Sequence, residues 1–80
     1  MNLTLEDFAR QLEEVSGASA IDPDTPLAEV SDVDSMDLME WLYKFQTENP
    51  GSGVDAAVFE NEDGRATLRT FHTRLVSVVA

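Results

Sequence analysis

The chain predicts an all-α fold, a small four-helix bundle with a long first loop and a short third helix. Three observations carry that prediction. Apolar residues recur at helical spacing in three separate stretches. No stretch alternates apolar and polar residues as a half-buried strand does, and proline or glycine punctuates the chain between the stretches. Eighty residues make one domain, spanning 1–80, which buries only about two-thirds of the surface its unfolded chain exposes. That leaves little room for a deep active site with its own supporting shells.

The first helix starts at Thr4, whose hydroxyl can accept from an orphan backbone N–H, with Glu6 and Asp7 suiting the dipole of its opening turn. Leu5, Phe8, Leu12 and Val15 give it one apolar face, and Gly17 ends it. Residues 17–34 form a long connection. Pro23 and Pro26 prevent a continuous helix, Asp22, Asp24 and Thr25 supply turn chemistry, and Ile21, Leu27, Val30 and Val33 are expected to pin the loop to the core. A loop this long inside a small domain is often functional.

The second helix covers residues 35–49, capped by Asp34 or Ser35 and stopped by Pro50 and Gly51. Winding it sorts the side chains into strips. Leu38, Trp41, Leu42 and Phe45 make the expected core face, and Asp37, Lys44 and Glu48 a polar strip opposite. Met36, Met39 and Tyr43, with Glu40 and Thr47, are expected between them. This mixed strip reads as a partner-facing surface, since methionine suits surfaces that adapt to several partners. Met36 and Met39 would equally serve as core if the helix is covered on two sides.

Residues 54–59 are expected to form the short third helix, and residues 61–64 a turn. The last helix is expected over residues 66–78, with Leu68, Phe71, His72, Leu75, Val76 and Val79 recurring at helical spacing.

The net charge is −11, and all sixteen acids lie between Glu6 and Asp63, whereas Arg65, Arg69 and Arg74 follow with no acid among them. Such a chain repels nucleic acid and anionic lipid and attracts basic protein surfaces by salt-sensitive steering. There is no cysteine, hence no disulfide and no thiolate metal site. The pairs Asp22/Asp24 and Asp32/Asp34 lack the glycine and glutamate that a helix–loop–helix calcium loop needs at its sixth and twelfth positions, so no metal is expected. With no leader pattern and no apolar run of membrane-spanning length, the cytoplasm is the expected compartment. Catalysis is not expected: the single histidine, His72, sits at the edge of an apolar face, and no G-x-S-x-G elbow is present.

Asp34-Ser35-Met36 opens a helix and follows the loop Ile21-Asp22-Pro23-Asp24-Thr25-Pro26-Leu27. With the chain length, the helix order and the acidic surroundings, this resembles the acyl carrier protein and related thiolation domains, over residues 5–78. The chain departs from the family pattern at Asp32, where glycine is usual, at Met36, where leucine is usual, and at Trp41, where a smaller aliphatic residue is commoner.

The resemblance implies an acyl-carrier-like bundle in which Ser35 is esterified by 4′-phosphopantetheine, with Asp34 and Met36 flanking the attachment point. It implies a free-standing carrier, not an enzyme, holding acyl or aminoacyl groups as thioesters for polyketide, fatty-acid or aminoacyl assembly. Met36, Asp37, Met39, Glu40 and Tyr43 would meet the partners: a phosphopantetheinyl transferase, a loading ligase or acyltransferase, and a ketosynthase or other acyl-processing enzyme. Neither nucleic acid nor membrane is an expected partner, and a monomer is expected. The alternatives are an unmodified acidic docking module with a carrier-like fold, in which Ser35 is only a helix cap, and an acidic inhibitor that mimics a phosphate backbone.

Overall fold

A computed structural model describes residues 3–30, 32–61 and 63–79, the last without its side chain. Helix α1 covers Leu5–Ser16. Thr4 caps it by accepting the Asp7 N–H at 3.1 Å, and Gly17, at φ 80°, closes it by donating to the Glu13 carbonyl at 2.8 Å. Helix α2 covers Ser35–Glu48 and helix α3 covers Leu68–Val79. The rest is loop with two 3₁₀ turns, Leu27–Glu29 and Ala56–Phe59. Among the described residues there is no strand, and the fold is all-α.

Two boundaries differ from expectation. Three α-helices and not four are present among the described residues: in place of the expected short third helix, residues 54–59 yield one 3₁₀ turn, Ala56–Phe59. Asp55 caps it at the Ala57 N–H, but Gly51 and Gly53 at positive φ precede it, and four residues are too few to sustain an i→i+4 ladder. Helix α3 starts at Leu68, not 66. Thr67 is drawn into an isolated antiparallel bridge with Pro26, beside a 3.0 Å bond from the Leu27 N–H to the Ala66 carbonyl. The Thr67 hydroxyl then accepts the Thr70 N–H at 3.2 Å.

The core is aromatic and lies between all three helices and the second 3₁₀ turn. Phe8 meets Trp41 edge-on at 4.8 Å between ring centroids, Trp41 stacks on Phe45 at 5.0 Å, and Phe59 meets Phe71 at 5.1 Å. Leu12, Leu42, Leu68 and Leu75 complete it. The long loop is pinned as expected by buried Ile21, Leu27 and Val33, with Val30 packed against them.

Leu38 is half-buried rather than fully core, and Val76 is 41% exposed. Eight residues after Leu68, Val76 has rotated to the margin of the α3 seam. His72 is half-buried at that margin, with Nε2 2.7 Å from the Leu3 carbonyl, so it ties the start of the chain to α3. The Val79 side chain and Glu62 of the expected turn lie outside the described residues. Gly64 still donates to the Asn61 carbonyl across that turn.

Candidate functional site

The junction of the long loop with α2 is built by two aspartates. Asp34 is extended, at φ −123°, and Asp34 Oδ1 accepts the Asp37 N–H at 3.0 Å. Asp37 Oδ2 accepts the Asp34 N–H at 3.1 Å, closing a reciprocal capping box. Of the two possible caps, Asp34 does the work. Ser35 is therefore the first helical residue, it is exposed, and its hydroxyl has no hydrogen-bond partner among the described residues. Helix starts are also where backbone N–H groups lack intrahelical acceptors, so an anion at Ser35 Oγ would meet a favourable dipole.

The negative surround is unevenly engaged. Asp32, Asp34 and Glu40 are exposed, while Asp37 is half-buried by its part in the box. Met36 is 77% exposed, Tyr43 74% and Met39 40%, so none of the three serves as core. This settles the position of the mixed strip differently from expectation. It lies on the far side of α2 from Trp41, Leu42 and Phe45, whereas Lys44 and Glu48 lie beside the core and overhang a groove against α1. The reason is rotational: Met36, Met39, Glu40, Tyr43 and Thr47 wind to the side opposite the Trp41–Phe45 seam.

That groove has a volume of about 460 Å³ and a floor that includes Leu3, Val15, Trp41 and Phe45. Neither Ser35 nor the Met36/Met39/Tyr43 strip lines it. At its floor Trp41 Nε1 donates to Gln11 Oε1 at 2.8 Å. Sequence reasoning missed this bond, because nothing local marks Gln11 as the partner of a residue thirty positions away.

It also missed what the arginines do. Arg69 grips Asp24 with two bonds, Nε to Oδ1 at 2.7 Å and Nη2 to Oδ2 at 3.3 Å, and its backbone N–H donates to the Pro23 carbonyl at 3.1 Å. The hydrogen bond from Arg69 holds the Asp24 carboxyl below its ordinary value of 3.8, against the desolvation that raises it and with a lesser contribution from the Arg69 charge. Arg74 Nη1 donates to the carbonyls of Val58 and Glu60, at 3.1 and 2.6 Å, and its guanidinium lies 5.8 Å from the Phe71 ring centre. Two of the three C-terminal arginines thus hold the fold together.

Among the described residues no three His, Asp or Glu side chains converge on a cation site, and no helix is long and apolar enough to cross a membrane. No protein-family model, no curated protein and no solved structure matches the chain.

Proposed function

We propose that this chain is an acyl carrier, with Ser35 as the attachment point for 4′-phosphopantetheine. The observation that supports it is the division of labour at the start of α2. Asp34 caps the helix, so the exposed Ser35 hydroxyl is left over for an enzyme to reach. The residues fit the group: a phosphodiester at this oxygen sits at a helix N-terminus, beside backbone donors, with solvent on its open side. When bound, the arm supplies a thiol that carries an acyl group as a thioester to partner active sites.

Ser35 Oγ is the nucleophile in attachment. It bonds to the phosphorus of coenzyme A nearest the pantetheine, the phosphoanhydride bond breaks, adenosine 3′,5′-bisphosphate leaves, and the serine proton passes to a base of the transferase. Asp34 and Asp37 hold the start of α2 rigid while this happens. Asp32 and Glu40 add charge that attracts a basic partner rim. The arrangement of α1, the long loop, α2, the Ala56–Phe59 turn and α3 then reads as an acyl-carrier-like bundle whose short third helix is reduced to one turn. Met36, Met39 and Tyr43 offer partners a continuous apolar strip beside the attachment point.

Incubation with a phosphopantetheinyl transferase and coenzyme A tests the reading. The intact mass is expected to rise by one phosphopantetheinyl group in the wild type and not in Ser35→Ala. No gain, or a gain that survives Ser35→Ala, overturns it. The exposed Met/Tyr strip also supports a second reading, an unmodified docking module. That reading predicts no mass gain, together with partner binding insensitive to Ser35→Ala.

A further inference from the structure

We infer that the cargo carried from Ser35 is a short or polar acyl group that stays in solvent, because aromatic rings fill the interior where a long alkyl chain would have to lie; this rests on the reading of Ser35 as a carrier site. A long chain in water favours burial in proportion to its apolar surface. A carrier of long chains must therefore offer them an apolar interior or a dry surface.

Among the described residues the interior is closed by ring contacts. Between α1 and α2, Phe8 and Trp41 are in edge contact at 4.8 Å. Trp41 meets Phe59 edge-on at 5.8 Å, closing α2 against the second 3₁₀ turn, and Phe59 meets Phe71 at 5.1 Å, closing that turn against α3. These separations are ring-to-ring contact, at which no alkyl chain fits between the faces. Nor is Trp41 free to swing aside as a gate. It is 2% exposed, and its indole N–H is bonded to Gln11, so displacement would break that bond as well as the ring contacts.

Among the described residues, the two surface features built by α2 that carry apolar side chains fit long chains poorly. The groove between α1 and α2 has apolar residues in its floor but is rimmed by Asp7, Arg10, Glu14, Lys44 and Glu48. The Met36, Met39 and Tyr43 strip stands out into solvent on the far side of the helix, so a chain laid on it keeps one side wet. A group of a few carbons, or one bearing an amine, hydroxyl or carboxylate, has little apolar surface to hide and needs neither place.

The test loads Ser35 from acetyl-, butyryl-, octanoyl- and dodecanoyl-coenzyme A in parallel, with occupancy read by intact mass. Melting temperature and the emission of Trp41, the one tryptophan of the chain, are then measured for each form. Both are expected to stay constant across the series, with melting temperatures within about 1 °C of one another. A melting temperature that climbs with chain length, by about 5 °C or more at dodecanoyl, together with shifted Trp41 emission, overturns the inference while leaving the carrier reading intact. Absence of any mass gain removes the carrier reading, and this inference with it.

Discussion

Asp34 and Ser35 are neighbours with the same local chemistry available to them, and the geometry separates their roles. Asp34 Oδ1 holds the Asp37 N–H, whereas Ser35 Oγ holds nothing among the described residues. Truncating each therefore has unequal consequences. Asp34→Ala is expected to cost about 1 kcal/mol, the ordinary loss of a helix cap. Ser35→Ala is expected to stay within about 0.5 kcal/mol of wild type, as an exposed substitution away from any such feature does. Urea denaturation of the two variants decides it, and a Ser35→Ala loss as large as that of Asp34→Ala would place the hydroxyl in the cap. Sequence narrowed the cap to these two residues and no further, because both side chains accept hydrogen bonds and the choice depends on a backbone turn set by the whole preceding loop.

At the scale of elements, the long loop is fastened to the start of α3. The Pro26–Thr67 bridge, the Leu27-to-Ala66 bond and the Asp24–Arg69 pair lie together along that line. Because Asp24 has its folded carboxyl value lowered by Arg69, the pair contributes stability in full above the unfolded value of 3.8 and loses it as pH falls through the lowered folded value. Both side chains are more than half exposed, so the contribution is screened and small. Arg69→Gln is expected to bring its stability deficit relative to wild type towards zero as pH drops from 6 to about 3, in urea midpoints taken at low salt. A deficit independent of pH would assign the role of Arg69 to its packing instead. Proline and aspartate marked this segment as a loop with a purpose, but its fastening joins residues 45 apart and left no local signature.

For the whole molecule, the charge distribution governs how it meets others. Sixteen acids against five basic residues, of which Arg10 and Arg69 are paired with Asp7 and Asp24, leave a net charge of −11. Association with a basic partner such as a transferase is expected to slow by about tenfold between 20 and 300 mM salt, with little change in dissociation rate. Stopped-flow traces across that range check it, and an association rate indifferent to salt would rule out steering by the acidic face. The direction of this effect was legible from residue counts alone. That Arg69 and Arg74 turn back onto the fold was not, since their partners come from the loop and from the second 3₁₀ turn with the residue after it.

Sequence by itself determined the three helices, the cap of α1, the stops of α1 and α2 and most of the apolar residues facing inward. All of these follow from relations three or four residues long, which a backbone of fixed pitch converts directly into faces and termini. Tertiary structure alone decided that α3 starts at Leu68, that Arg69 and Arg74 turn back onto the loop and the second 3₁₀ turn, and that rings from separate elements meet in the interior. Those outcomes rest on contacts between residues far apart in the chain, such as Asp24 with Arg69 and Phe8 with Trp41, where packing and not periodicity chooses the partner.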